Sequence, residues 1–415
     1  MALLKAFKAV RPVPELASKV AALPYDVMDS EEARRKVEGN PYSFLHVDKA
    51  EVDLPPMINI YDKKVYEKAR ENLKRMIKEN ILLEDEKECI YIYRQTMGNH
   101  VQTGLVGCVS IDEYMNNVIK KHEETRKDKE KDRINHVYYC NANTGPIFLT
   151  YRAKEEIDDI VAEWTGEHSP VYDFDADDGI KHTAWVIDDD KAIAKIMEYF
   201  QSVDYLYIAD GHHRAASAVE VGKVKRKEKP NYSGQEEFNY FLGVLFPHDE
   251  LKIMDYNRVV KDLNGYSPGN ILTEIEEKFV IEEYKGERGY RPEKKHLFGM
   301  YLDNKWYRLT PKEGIYNSHD STDRLDVSIL QNNILQPILG ILDPRTDSRI
   351  DFVGGIRGLE ELERRVNKGM AIAFSMFPTT VEDIMAIADE SKVMPPKSTW
   401  FEPKLRSGLF IHELE

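Results

Sequence analysis

A mixed α/β (or α+β) architecture, with sheets and helices interleaved, is the fold class that this sequence of 415 residues predicts. Three observations lead to it. Short runs rich in β-branched and aromatic residues alternate with helical periodicities along the length of the chain. One such run, Tyr205 to Ala209, passes through Asp210 and Gly211 directly into an alanine-rich helical segment. No internal repeat or low-complexity tract interrupts the alternation, and 415 residues exceed one ordinary core, so two or three lobes are expected.

Taken in order, Arg11 and Pro12 lie in a short strand-like start, followed by a second such stretch from Ala22 to Val27. Asp29 or Ser30 then caps a helix whose first turn carries Glu31 and Glu32. Residues 61–82 read as a helix, because Tyr66, Ala69, Leu73, Met76 and Ile77 recur at helical spacing. Residues 88–95 and 104–111 read as paired strands around Met97, Gly98 and Asn99. The highly charged segment 112–137 reads as mainly helical. Short strands at 148–151 and 184–187 flank a helix over 154–164, with the acidic stretch 173–179 as a loop between them.

The second half repeats the alternation. It predicts a strongly apolar strand at 240–247, a helix near 270–279 and a hairpin over 296–309 turning at Asp303 and Asn304. Helices follow at 325–341 and 359–368, a buried strand at 370–376 and a helix at 381–388. The tail from Pro395 reads as a loop ending in a strand. The expected division is residues 1–235, an N-terminal region, and residues 236–415, a C-terminal α/β lobe.

Composition narrows the function classes. A net charge of −15 argues against a nucleic-acid partner. No apolar run approaches the roughly 20 residues that span a bilayer, so no membrane role is expected. The first residues lack the long apolar core of a signal peptide, which points to the cytoplasm. Cys89, Cys108 and Cys140 are too widely spaced for a zinc motif or a disulfide framework.

The most informative stretch is Asp210, Gly211, His212, His213 and Arg214. A strand, a tight turn and a helix N-terminus present free backbone N–H groups and the positive end of the helix dipole, which together favour an anion. Gly211 lets the backbone approach a ligand closely, Arg214 is suited to a two-point phosphate clamp, and Asp210 is suited to holding a metal ion or orienting a histidine. Adjacent helical residues point about 100° apart, which disfavours a simple two-histidine metal site but not a phosphate cradle.

Four further places are candidates. His122, Glu123 and Thr125, with Arg126, stand in a run of lysine and glutamate whose ordinary explanation is a solvated helix face. No second histidine follows His122 at the spacing of a zinc protease. Asp26, or Glu31 beyond it, supplies a carboxylate near the N-terminus. Lys397, Ser398, Thr399 and Lys404 place cations and hydroxyls in a Pro-bounded loop beside Trp400 and Phe401, a combination suited to carboxylate or phosphate. Asn257 with Arg258, and the stretch from Asp343 to Arg349, offer weaker carboxylate and arginine pairs. Aspartates 173, 175, 177 and 178 lack the glycine and glutamate spacing of a calcium loop.

Several short motifs occur in a fixed order: Arg11-Pro, Pro24-Tyr-Asp-Val, His122-Glu-Glu-Thr125, Asp210-Gly-His-His-Arg214, Arg258-Val-Val and Lys397-Ser-Thr-Trp-Phe-Glu-Pro-Lys404. Over nearly its full length the chain resembles a bacterial and archaeal family known as domain of unknown function 1015. More distantly, the Asp-Gly-His-His-Arg box is similar to the phosphate-binding box of the ParB/sulfiredoxin-like nucleotide-binding fold. That group includes free-serine kinases, which move a phosphoryl group between a nucleotide and L-serine.

This likeness implies a nucleotide-binding core carrying the box, with Gly211, His212, His213 and Arg214 on the phosphates and Asp210 near a metal ion. The family motifs add His122, Glu123 and Thr125. The expected function is phosphoryl transfer, with Mg²⁺ and ATP or ADP, between a nucleotide and an amino acid such as serine, or the reverse dephosphorylation of phosphoserine. Glu123 first and Asp26 second would take the hydroxyl proton, and His213 would assist at the box. His122, Thr125, His212 and Arg214 would bind phosphate. Arg258, Lys397, Ser398, Thr399 and Lys404 would bind the amino acid. A homodimer is compatible with this reading. The rivals are a metal-dependent hydrolase using Asp210, His212, His213 and His122, and a non-catalytic, nucleotide-gated interaction protein.

Overall fold

A computed structural model of the protein describes residues 1–125 and 127–415. Contacts divide the chain into two compact units. The first holds Met1–Lys121, Thr125–Leu251 and Pro403–Glu415, and the second holds His122–Glu124 and Lys252–Glu402. The division therefore falls after residue 251 rather than at 235/236. The cause is the Tyr240–Pro247 strand, which hydrogen-bonds parallel to Ile147–Tyr151 and antiparallel to His100–Ser110 and so belongs to the first sheet. The tail also departs from the expected division. Its Ile411 bridges Val10, and His412–Glu413 pairs with Ala142–Asn143, which returns it to the first unit.

Among the described residues the first unit is built on an eight-stranded mixed sheet. From one edge the order is Ile119–Lys120, Leu206–Asp210, Ile147–Tyr151, Tyr240–Pro247, His100–Ser110, Ile90–Met97, Lys181–Ile187 and Tyr172–Asp175. Tyr240–Pro247 is apolar at nearly every position and buried throughout, as a central strand covered on both faces requires. Helices Glu155–Glu167 and Asp190–Phe200 place Ile157, Ile160, Ile193, Ile196 and Phe200 in one core with Leu149, Ile208 and Phe241 of the sheet. A second core gathers Val65, Ala69, Leu73 and Met76 of helix Lys63–Lys78 with Phe44, Leu82 and Ile411.

The second unit carries a six-stranded antiparallel sheet in the order Phe279–Tyr284, Lys305–Pro311, Phe298–Leu302, Ile372–Ser375, Tyr256–Val260 and Ile350–Gly354. The expected hairpin is present. Asp303 and Asn304 both take positive φ, 49° and 58°, which a two-residue turn between twisted strands demands. Helices Pro268–Glu276, Glu360–Asn367 and Val381–Asp389 lie where the periodicity placed them. The N-terminal helix, Ser30–Val37, has the predicted cap: the Asp29 carboxylate accepts from the Glu32 amide at 2.7 Å, and the Glu32 carboxylate from the Asp29 amide at 3.1 Å.

Three segments differ from expectation. The charged stretch 112–137 is not one helix: Ile111–Met115 stops before Asn117, whose φ is 59°, and Ile119–Lys120 forms an edge strand before helix Lys127–Cys140. The acidic stretch after residue 172 is partly a strand, Tyr172–Asp175, because Tyr172 buries while Asp173 and Asp175 alternate outward on a sheet edge. The long helix over 325–341 shortens to Asp326–Leu330 and a π-helical turn, Gln331–Leu335. There the Asn333 side-chain Nδ2 donates to the Ile329 carbonyl at 3.0 Å, and Pro337 cannot continue the hydrogen-bond ladder. All three cysteines are buried free thiols. Among the described residues no helix is long and apolar enough to cross a membrane.

Candidate functional site

The box forms where the sequence places it. Strand Leu206–Asp210 ends at Asp210, and helix His212–Glu228 begins immediately after Gly211. Gly211 adopts φ 92° and ψ 30°, left-handed backbone that suits glycine, and no side chain caps the helix. The strand register shifts between Ile208 and Asp210, so that Asp210 pairs with Phe148. This irregularity aims the last residue of the strand away from the regular pleat.

Two cations converge on the Asp210 carboxylate. Lys404 Nζ lies at 3.5 Å and Arg214 Nη2 at 3.6 Å. Burial alone would raise the Asp210 carboxyl, but Lys404 first, then Arg214 and His212, hold it down at about 2. The group is therefore ionised at every physiological pH. Arg214 is fixed from behind: its Nη1 donates to the Pro146 carbonyl at 2.6 Å, and its buried Nε has no hydrogen-bond partner among the described residues. Side-chain exposure is 11% for Arg214, 12% for Lys404 and 32% for Asp210, so the acid is the open member of the trio. His212 is buried and His213 half-buried. The His213 carbonyl accepts from the Ser217 hydroxyl at 2.7 Å.

Lys404 reaches this site on the returning tail, which a buried network anchors. Gln95 donates to the Lys404 carbonyl at 2.9 Å, and Gln102 donates to Gln95 at 3.0 Å. Arg406 pairs with Asp178 and donates to His182 Nε2 at 3.1 Å, while the Tyr93 hydroxyl meets His182 Nδ1 at 2.7 Å. Burial, reinforced by Arg406, pushes His182 down to about 3, so it is neutral and serves as a hydrogen-bond junction.

Behind Arg214 lies a small cleft with a cavity volume of about 30 Å³. Tyr25, Asp48, Arg133, His136, Thr144 and Arg214 are among the residues that line it. The Thr144 hydroxyl donates to Asp48 at 2.8 Å, and His136 Nε2 lies 3.2 Å from that hydroxyl and 3.6 Å from the carboxylate. Arg133 pairs with Asp132 at 2.8 Å and lies 4.0 Å over the Tyr25 ring. Burial opposes a charged His136, but Cys140 and the Asp48 carboxylate outweigh it and lift the imidazole to about 9. The sequence reading missed Asp48, Arg133, His136 and Thr144. The available signal was the i, i+3, i+7 spacing of Arg133, His136 and Cys140, an inward face on a helix whose charge density suggested solvent.

The other expected residues separate. Asp26 is exposed, next to Tyr25 in the first unit. Thr125 also belongs to the first unit, where its hydroxyl donates to Glu130 at 2.7 Å. Lys404 belongs with Asp210 rather than with Lys397, Ser398 and Thr399, which lie in the second unit. There Arg258 is buried. It donates to the Tyr256 carbonyl and, at 3.0 Å, to the Lys397 carbonyl, and burial pushes it down to about 10. Ser398 is buried and bonded to the Pro395 carbonyl, Thr399 is half-buried and Lys397 is exposed. His122 is buried in the second unit, its carbonyl accepting from Met394 at 2.8 Å, and Glu123 beside it is half-buried. Arg126 lies outside the described residues. Arg345 and Arg349 pair locally with Asp343 and Asp347, and Asn257 bonds inside its own sheet.

Residues 4–328 match the family described as Protein of unknown function (DUF1015). The chain belongs to that family. The matched DUF1015 region contains residues 210–214, whereas Lys397 to Lys404 lie beyond it. No curated protein shows significant similarity to the chain. Among solved structures, a mutant free serine kinase in complex with AMP is similar at 15% identity and TM-score 0.39, over 75% of this chain and 94% of that one. A conserved hypothetical protein from Pyrococcus furiosus is similar at 14% and 0.36, over 74% and 94%. SbnI from Staphylococcus aureus, with a C-terminal truncation, is similar at 10% and 0.40, over 74% and 87%.

Two measurements check this geometry. An alanine at Gly211 meets the wrong backbone region, and its Cβ would lie 3.0 Å from the Arg214 guanidinium. Gly211→Ala is expected to cost about 1–2 kcal/mol in urea unfolding, with a matching displacement of the arginine. His136 binds its proton more tightly in the folded protein, so its stabilisation is complete below pH 6.5 and is lost as pH rises toward about 9. Stability is expected to fall by about 3 kcal/mol across that window, and His136→Gln is expected to flatten the fall.

Proposed function

We propose that the box seats the phosphates of a nucleotide and that the protein transfers a phosphoryl group between that nucleotide and a small hydroxyl-bearing acceptor. The supporting observation is the convergence of a glycine-led helix N-terminus with Arg214 and Lys404 on one ionised acid. Serine as acceptor rests on the likeness of the box alone, and so does the choice of ATP or ADP.

In this reading the amides that open helix His212–Glu228 and the Arg214 guanidinium receive phosphate oxygens. Lys404, now shared with Asp210, turns part of its charge to the phosphates. Asp210 suits Mg²⁺ as a single carboxylate whose partners are nucleotide oxygens and water, the usual manner for this ion. When bound, Mg²⁺ would neutralise charge on the phosphates. Among the described residues no group of three or more His, Cys, Asp or Glu gathers as a protein-only metal cage.

For the base, Asp26 shares a unit with the box and stands next to Tyr25, which lines the cleft behind Arg214. Glu123 is carried by the second unit. Thr125 and His213, which share a unit with the box, remain as proposed secondary phosphate contacts. The test is phosphorus NMR of the full chain with Mg²⁺, ATP or ADP and a pool of amino acids. A new phosphomonoester is expected, and the absence of both product and nucleotide binding overturns the reading. Asp26→Asn and Glu123→Gln then separate the two bases. The true base retains nucleotide affinity while turnover falls by about 10²–10⁴-fold.

A further inference from the structure

Gln95 and Gln102 break the apolar pattern of the sheet that carries the box. They face each other across the Ile90–Met97 and His100–Ser110 strands, and both are completely buried, at 0% exposure. Glutamine is seldom buried to that extent, and its polar atoms must then find partners inside the protein. Here the partners form one directed chain. The Lys404 main-chain carbonyl can only accept, so Gln95 turns Nε2 towards it, at 2.9 Å, and keeps Oε1 for Gln102. Gln102 donates to that oxygen through Nε2 at 3.0 Å, which leaves its own Oε1 facing His100 Nε2 at 3.3 Å. Tyr91, Tyr93 and Gln95 share one face of their strand, because alternate residues point to the same side. The tail follows that row: the Phe410 ring lies 5.2 Å from that of Tyr91 and 6.0 Å from that of Tyr93, and Gln95 holds Lys404.

We propose that Gln95, braced by Gln102, is a positioning residue for Lys404, fixing the tail main chain at the point from which the lysine reaches Asp210 and the phosphates. The proposal rests on the phosphoryl-transfer reading only for the nucleotide; the hold on Lys404 needs none. Because the bond is made to a main-chain oxygen, it sets where the lysine side chain starts. The four-carbon stem is flexible, and Nζ stands 3.5 Å from the Asp210 carboxylate, near the outer limit of an ion pair. A displacement of about 1 Å at its root separates the two charges, and misplacement on that scale can cost about 100-fold. Arg406 anchors the chain further on, through Asp178 and His182, whereas Gln95 acts at Lys404 itself. An apolar pair would fill the same strand positions without the cost of burying two amides, so the carbonyl they hold is what the glutamines supply.

Two properties of the full chain test this at about pH 8, where carboxyls are ionised: acylation of Lys404 by acetic anhydride, read by peptide mass spectrometry, and ADP affinity, read by calorimetry. Gln95→Met offers the carbonyl no donor. It is expected to acylate faster at Lys404 and to bind ADP about tenfold more weakly, while circular dichroism remains that of the parent. Gln95→Glu is expected to behave alike, since an ionised carboxylate cannot donate. At about pH 5 burial favours the protonated carboxyl, which donates again, and affinity relative to the parent is expected to return to within about threefold. Gln95→Met is expected to show no such recovery, and a merely structural role, which shifts the melting temperature alone, produces no pH profile of this kind. Parent-like acylation and affinity in both folded variants overturn the proposal, and so does a folded Gln95→Glu that stays weak in acid. If neither variant folds, Gln102→Leu decides in the same assays: it frees Gln95 without touching the tail, and a parent-like Lys404 there overturns the proposal. A parent that binds no ADP removes the nucleotide reading, while faster acylation in the variants keeps the positioning role, so the two failures are distinguishable.

Discussion

Replacement of Arg214 by alanine is expected to weaken nucleotide binding by about 100-fold or more, read by calorimetry with ADP. The guanidinium is held by the Pro146 carbonyl and faces Asp210, so its orientation is set before any ligand arrives. Two hydrogen bonds from a fixed cation to phosphate oxygens contribute roughly 1.5–3 kcal/mol each, and their loss alone reaches that factor. The variant also removes one of the cations that face Asp210, which raises the local negative potential where phosphates must sit. Arg214→Lys restores charge but not the two-pronged geometry, and is expected to recover only part of the affinity. If Arg214→Ala binds ADP as the parent does, the box is not the nucleotide seat.

The second large effect lies beneath the box. Phe246 is fully buried, with its ring centroid 4.7 Å from that of Phe148, and Phe148 pairs with Asp210 across the strand shift. On the other side stands Gly104, where a Cβ would already be 2.9 Å from the Phe246 ring. No side chain at Gly104 is available to fill the space if the ring is removed. Phe246→Ala is therefore expected to cost about 3–5 kcal/mol in urea unfolding, at the upper end for core truncations. The cavity also removes support from the strand that ends in Asp210, so affinity for the nucleotide should fall even where the variant remains folded. A loss below about 1 kcal/mol would mean that the ring is not packed as described.

Much of this was legible in the residues because local signals agreed with one another. The box was readable since an apolar strand, a glycine and a helix-forming run followed in unbroken order, and Gly211 takes the positive φ such a turn needs. The Asp303-Asn304 hairpin and the Asp29 cap were readable for the same reason. What stayed hidden depended on long-range contact. Lys404 looked like part of the Lys397 loop, yet six residues on the chain pass it from one unit to the other. Asp48, Arg133 and His136 stand in polar surroundings in the sequence, and only packing shows that they share a cavity. Charge density suggested solvent for helix Lys127–Cys140, although Asp132, Arg133 and His136 turn inward in buried ion pairs. The tail's return to the first sheet carries no local signature at all.

That return has a consequence for how the protein comes to exist in a cell. A ribosome finishes every strand of the first sheet by residue 247, and then makes the whole second unit before it supplies Pro403–Glu415. Until then Tyr91 and Tyr93 lack Phe410, whose ring will lie 5.2 and 6.0 Å from theirs, and Asp210 lacks Lys404. The nascent chain thus carries an unfinished box, with Asp210 still missing one of its two cations, through about 150 further residues of translation.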